Sequence, residues 1–315
     1  MTTVQQTTPT VGGSGPSSTG TVAGEFTVRA RSQRQQIIRR FVRNRRAMGA
    51  LILLAVIVLT SFIYPLFYRW SYTDQDKLAA NKPPGTPGHL LGTEDIGKDL
   101  LALLMRGIQR SSIIALLFIL IAGVVGILIG GLAGYYGRYV DNLLMRFVDL
   151  VLTIPQLVVL VVIAAKVQKG GGTILSVALV IGLFGWMDLA RILRSQFLSL
   201  REREFVEAAH ALGASDRRII FKHLIPNSLG QIIVWATLGA ATSVLAEASL
   251  TYLGFGVQGD TSLGVLVSDG VAAADSRPWL FYTPGLAIMV IVMCISFIGD
   301  GVRDAFDPSH SRVRA

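Results

Sequence analysis

The sequence predicts an all-α, polytopic membrane protein with six transmembrane helices. Three observations predict it. Apolar residues make up 51% of the 315-residue chain and charged residues only 16%, against roughly 25% in a water-soluble domain. The apolar residues are gathered in runs of about 18 to 26, long enough to cross a hydrocarbon layer of roughly 30 Å, where a soluble bundle would show stripes. The Lys and Arg excess, net +9, lies mainly in alternate connecting segments, which is the pattern that fixes membrane orientation and not a nucleic-acid surface.

Taken in order, residues 1–46 form a tail and a basic segment. Met1 to about Gly24 is rich in Thr, Gly, Ser and Pro and has too few large apolar groups to offset ordering, which predicts a disordered cytoplasmic tail. From Gln33 to Arg46, arginines interleave with Ile37, Ile38, Phe41 and Val42. This pattern suits a short helix lying on an anionic leaflet, and equally a simple topology signal. The first span, Ala47–Tyr64, is full length and is expected to stay as an anchor, with no cleavable signal before it. It opens a unit, 47–110, whose loop Arg69–Arg110 is external and carries a Pro/Gly turn at Pro83–Gly88 and a short helix from Gly97 to Arg106.

The core, 111–300, holds five further spans. In the second, Ser111–Tyr135, Gly126, Gly130 and Gly134 recur every four residues and let a neighbouring helix approach to backbone contact. The third, Leu143–Ala165, contains Pro155, which removes a backbone donor and kinks a helix. The fourth is Thr173–Ser195, the fifth Ser228–Leu253, and the sixth, Phe281–Ile298, holds the lone Cys294 as a small packing residue. With the N-terminus inside, an even number of spans returns the 301–315 tail to the cytoplasm. Both termini are therefore expected there.

Charges at bilayer depth cost about 2.5–3.5 kcal/mol each and require partners or water. Arg146 with Asp149, and Asp188 with Arg191, are three apart on single helices and are expected to pair locally. Glu247 has no cation one turn away, so it needs a partner on another helix or an aqueous cavity. It is the candidate translocation-pathway residue, with a structural hydrogen bond as the alternative.

Catalytic chemistry finds no support. Gly92–Asp99 is one residue short of a phosphate-binding loop, but Asp99 stands where a hydroxyl should hold magnesium, and Glu94 and Asp95 would repel phosphate. His89, His210, His223 and His310 are scattered without metal-ligand spacing, and no nucleophile elbow occurs, so no catalytic residue, metal or cofactor is expected. Nor do repeated halves or a file of carboxylates suggest ion-coupled transport, the rival to an energised partner.

The informative segment is the loop 199–227. It reads as two short helices about Gly213: the first from about Glu202 to Leu212, the second capped by Ser215 or Asp216 with Ile219, Ile220 and Leu224 on one face. Pro226 starts the next span. Glu207-Ala208-Ala209, then Gly213, then Pro226 resembles the EAA loop of binding-protein-dependent ABC importer permeases, with Arg203 in the same loop. His223 and Ile225 stand where the general family has Ile and Leu, as in its peptide-importer branch. Leu91–Asp99, Glu247–Gln258 and Gly299–Pro308 extend the resemblance to the dipeptide/oligopeptide C-type subunits, with nickel permeases as close relatives. The resemblance implies a type I (MetI-like) permease fold and a coupling helix docking on a separate ATPase. It also implies partners: a second permease subunit, one or two ABC ATPase subunits and an external substrate-binding protein, besides membrane lipid.

Overall fold

A computed structural model describes residues 33–169 and 171–307. The disordered tail expected over Met1–Gly24 and the last eight residues, 308–315, lie outside the described residues. The regular secondary structure among them is helical, apart from two isolated β-bridges, Thr86 with His89 and Thr93 with Asp99. The helices are α1 (Gln33–Arg43), α2 (Arg45–Ile63), α3 (Leu100–Tyr136), α4 (Arg138–Leu152), α5 (Gln156–Gln168) and α6 (Ile174–Arg201). Then come α7 (Glu204–Ala211), α8 (Asp216–Ile219), α9 (Ile225–Asn227), α10 (Leu229–Tyr252), α11 (Leu263–Val271) and α12 (Trp279–Phe306). Among the described residues five helices are long and apolar enough to cross a membrane, and α4 with α5 makes a sixth span if taken as one broken pair.

That broken pair corrects the single kinked span expected over Leu143–Ala165: its two helices meet at 82°. Pro155 has no N–H and its ring pushes Ile154 away from helical backbone, so the chain stops at Thr153 and restarts at Gln156. The second span also differs. The short helix expected at Gly97–Arg106 runs without interruption into it, giving 37 residues, or about 55 Å at 1.5 Å per residue, so α3 projects beyond the bilayer. Its start is fixed by Asp99, whose Oδ1 accepts from the Ala102 N–H at 2.9 Å.

Asp99 also organises the loop that precedes it. Its Oδ2 accepts from buried His89 Nδ1 at 2.8 Å and from the Tyr68 hydroxyl at 3.1 Å, while His89 stacks on Trp70. Burial first, and then the charge of Asp99, push the Tyr68 hydroxyl above the usual phenol range, so it remains a donor. Gly92 and Gly97, at φ of +83° and +82°, press against the Lys82 and Asp76 carbonyls with no room for a side chain. The near-match to a phosphate loop is therefore a helix-capping turn.

The glycine stripe holds α3 against α6. A Cβ at Gly130 would overlap the Ala190 backbone. At Gly134 it would lie 2.6 Å from Phe197 Cβ, and at Gly126 2.8 Å from Leu189 Cβ. Where lipid supplies no hydrophobic drive, this dispersion contact is the main source of helix association. Two ion pairs tie α4 to α6: Asp141 receives Arg194 at 2.5 Å and Asp149 receives Arg191 at 2.5 Å. The local pairs expected along single helices, Arg146 with Asp149 and Asp188 with Arg191, are thus replaced by bonds between helices. The reason is that the long arginine side chains of α6 reach across to the carboxylates of α4. Arg191 and Asp149 are each about half exposed, so that pair adds at most about 1 kcal/mol.

On the other side α12 packs against α2, α10 and α11. Gly301 of α12 is pressed on Ala47 of α2, and Phe306 fits against Gly230 of α10. The ends of α2, α3, α10 and α12 nearest residues 45, 136, 229 and 306 therefore lie at the same end of the bundle as α7.

Candidate functional site

α6 continues past Ser195 to Arg201, so the loop 199–227 stands on the end of a long rigid rod. Within it, α7 is shorter at both ends than the helix expected from Glu202 to Leu212. Arg203 takes the N-cap position with extended backbone, and Gly213 closes the helix at φ +75°, the left-handed conformation a C-terminal glycine supplies. Val206, Ile219 and Leu224 are fully buried and anchor the loop. Glu207, Ala208 and Gly213 face outward, Ala209 is half-buried, and Phe205, Leu212 and Phe221 are exposed beside them. The outward side thus carries small and apolar residues around Glu207, with the exposed Glu204 three residues before it, and is suited to close approach by another protein.

After α7 the chain departs from expectation in two places. Ser215 stands at the N-cap of α8 but its side chain makes no capping bond, and Asp216 accepts instead from the Tyr135 hydroxyl at 2.8 Å. Pro226, lacking an N–H, is preceded by a π-helical turn over Ile220–Leu224. It lies in the one-turn α9, so the next long helix begins at Leu229.

Tyr135, which sequence reasoning missed, links this loop to the core. Its ring stacks on His210 of α7 at 6.4 Å, its hydroxyl holds Asp216 of α8, and its carbonyl accepts from Arg201 at 3.4 Å. Only an aromatic residue at the end of the glycine-striped helix hints at it. These contacts join α7 and α8 to the ends of α3 and α6.

From this end a cavity of about 860 Å³ opens along α6 and α10. Phe118, Phe184 and Trp235 form an apolar floor, with Phe118 and Trp235 stacked at 6.1 Å. Gln156, Asp188, Gln231, Thr242, Ser243 and Arg303 add polar groups to the wall. Asp188 is exposed, and its carboxylate has no ion pair or hydrogen bond among the described residues. A charge so placed on a membrane helix requires water or a partner, so this wall is polar and unsuited to face lipid.

Glu247 sits differently. Its neighbours Ser243 and Ala246 line the cavity, but its own fully buried carboxylate turns away from that wall. Oε1 accepts from Ser262 at 2.5 Å and Thr251 at 3.1 Å, and Oε2 from Ser111 at 3.1 Å. The partners required on other helices are thus hydroxyls, and the carboxylate joins α3, α10 and the cap of α11. Substituting Glu247→Leu strands three buried hydroxyls and is expected to cost about 2 kcal/mol or more, whereas Glu247→Gln, which still accepts, costs less. Thermal unfolding in detergent measures the difference. The described residues contain no group of His, Cys, Asp and Glu able to hold a metal ion, and His89 is engaged with Asp99.

Residues 126–312 match the family described as the binding-protein-dependent transport system inner membrane component. The chain belongs to this family of ABC importer permeases. Residues 32–84 of the permease match the N-terminal transmembrane domain of oligopeptide transport permease C, covering α1 and α2. The permease is 39% identical over 284 residues to the oligopeptide transport system permease protein OppC of Mycobacterium tuberculosis, covering 90% of this chain and 97% of that one. It is 37% identical to the OppC protein of Haemophilus influenzae, covering 90% and 91%. Among solved structures it resembles the inward-facing MetNI methionine ABC transporter with a TM-score of 0.54 and 22% identity, covering 66% of this chain and 98% of that one. That likeness establishes the MetI-like fold.

At the end of the permease remote from α7, Asp260 accepts from Arg106 through both oxygens at 2.9 Å and pairs with Arg110 at 2.6 Å. Burial alone would raise its pKa, but the Arg106 hydrogen bonds, the Thr261 N–H and the two cations override it and hold the carboxyl below the usual range. A depressed carboxyl stabilises above its unfolded pKa, about 3.9, and loses that contribution as pH falls through the lower folded value. Hydrogen exchange around Thr261 is therefore expected to be flat from neutral pH to about 5, once corrected for intrinsic rate, and to accelerate below about 4. Asp260→Asn should remove the step.

Proposed function

We propose that this permease forms half of an inner-membrane pathway for peptides, and that it is driven by a separate ATPase docked on α7. The observation that carries the proposal is the outward surface of Glu207, Ala208 and Gly213, tied through Tyr135 to α3 and α6 and so to the walls of the cavity. On this reading Arg203, Glu207, Ala208, Ala209 and Gly213 form the docking surface, and Pro226 sets the angle at which the loop rejoins the bundle. ATP binding draws two ATPase subunits together, and their motion tilts α6 and α10 and turns the cavity from one side of the membrane to the other. The α7 end and both termini are cytoplasmic, in keeping with the arginines of α1 and of the 199–227 loop.

The cavity opens on one flank of the chain, so a second permease subunit is required to close it, and an external binding protein delivers the solute. Peptides are the favoured cargo because the relatives named above are oligopeptide permeases and because the cavity combines an aromatic floor with amide and hydroxyl groups. Glu247 acts beside the pathway by holding α10 to α3 and α11. Uptake of a labelled peptide into cells expressing the complete transporter tests the reading. It should stop on ATP depletion at preserved membrane potential and continue when the potential alone is collapsed. The reverse pattern would indicate an ion-coupled carrier.

A further inference from the structure

α1 and α2 meet at Asn44, which leaves the helical region (φ −78°, ψ 97°) and caps α2 by accepting from the Ala47 N–H. The bend sets the start of α2 across the end of α12, where Ala47 presses on Gly301 with the Phe41 ring beside them. Beside this crossing lies a cleft of about 720 Å³, lined by Arg43, Arg45, Arg46 and Arg303 together with Asp300 and Asp304. All six are exposed, and among the described residues none of the four guanidiniums has an ion pair or hydrogen bond, although two carboxylates share the cleft. Cations therefore outnumber anions, and their donors are free.

A second, shallower groove runs along α1 past Ile38 and Val42, and Arg43 borders both. Ile38 and Val42 are one turn apart and 63% and 55% exposed, with Phe297 of α12 exposed at the basic cleft. Because α2 is a membrane span beginning at Arg45, the basic cleft lies at headgroup depth and the apolar side chains beside it reach the acyl region. A phosphate-rich head joined to an apolar tail fits these two grooves, whereas a free phosphate or nucleotide would use only the first.

We propose that this junction is a binding site for an anionic phospholipid, its phosphate held by Arg43, Arg45, Arg46 and Arg303 and one acyl chain laid along Ile38 and Val42. Planar guanidiniums match phosphate in paired hydrogen bonds, and the site gives lipid a grip on the crossing of α2 with α12, next to the cavity wall at Phe306. Placement in the cytoplasmic leaflet rests on the orientation proposed above. The binding itself does not depend on the solute carried.

The test is native mass spectrometry of the full-length chain taken from mixed phosphatidylglycerol and phosphatidylcholine nanodiscs, counting retained lipid. Phosphatidylglycerol should be retained in preference, and Arg45→Gln with Arg46→Gln should weaken its retention roughly thirtyfold, while Lys166→Gln with Lys169→Gln leaves it unchanged. Asp300→Asn with Asp304→Asn, which spares the topology-setting arginines, should strengthen retention and decides the matter if the arginine variant inserts poorly. Equal retention of both lipids, or indifference to the Asp300 and Asp304 changes, overturns the proposal. Displacement by millimolar inorganic phosphate alone identifies a soluble-anion site and overturns it too. Failure of ATP-driven uptake with retention intact would count against the proposed function and leave this site standing.

Discussion

Replacing Glu207 and Gly213 together by arginine should abolish ATP-driven uptake, by at least about a hundredfold, while the chain still inserts and accumulates. Glu207 is exposed and among the described residues its side chain holds no structural bond, so reversing its charge costs the fold little. Gly213 sits at φ +75°, and a Cβ added there finds nothing within 4 Å, so arginine meets open space but incurs about 1–2 kcal/mol of backbone strain. A Gly213→Asn variant separates strain from docking, because asparagine tolerates left-handed backbone and adds little bulk. It is expected to keep a large share of uptake. Comparing uptake with the amount of chain in the membrane by immunoblot distinguishes lost coupling from lost protein.

The second large effect is structural. Gly130→Leu should prevent α3 and α6 from closing on each other, because any Cβ at that position overlaps the Ala190 backbone, which cannot rotate aside as a side chain could. A cost above about 3 kcal/mol is expected, enough to remove most folded protein from detergent extracts. Gly49→Leu and Gly285→Leu are the matched controls, since a Cβ at either finds nothing within 4 Å. Both should extract and migrate on size exclusion as the parent does. If all three behave alike, the glycine stripe does not set the distance between α3 and α6.

Those two effects rest on features of very different visibility. The glycine spacing and the Glu207–Gly213 segment are local in sequence, and each has one physical use that the fold bears out: close approach in the first case, a helix with a left-handed end in the second. Pro155 is legible as a fault in the third span, but the size of the bend depends on how α4 and α5 pack, which no local pattern records. Asp149 and Asp188 show the same limit. Spacing on one helix favours Arg146 and Arg191 as partners, yet helix packing gives Arg191 to Asp149 and leaves Asp188 facing the cavity.

Glu247 stands out in the sequence because a carboxylate at that depth needs company. The company is Ser111, Thr251 and Ser262, two of which lie far away in sequence, and serine advertises no such role by its pattern. Tyr135 escapes notice for a related reason, since the loop partners of its side chain, His210 and Asp216, meet it only when the loop folds back on the end of α3. Residues that carry force between elements are the hardest to read from sequence, because their identity follows from the arrangement of the elements.

The central claim is that α7 is where a separate ATPase engages the permease. Affinity purification of the tagged full-length chain in mild detergent, with mass spectrometry of what comes with it, tests that most directly. The account predicts that the parent brings down a soluble ABC ATPase and a second permease chain, and that the Glu207→Arg, Gly213→Arg variant loses the ATPase but keeps the second permease. A parent chain that inserts and folds yet recovers no ATPase at low salt, or a variant that retains it in full, would contradict the account.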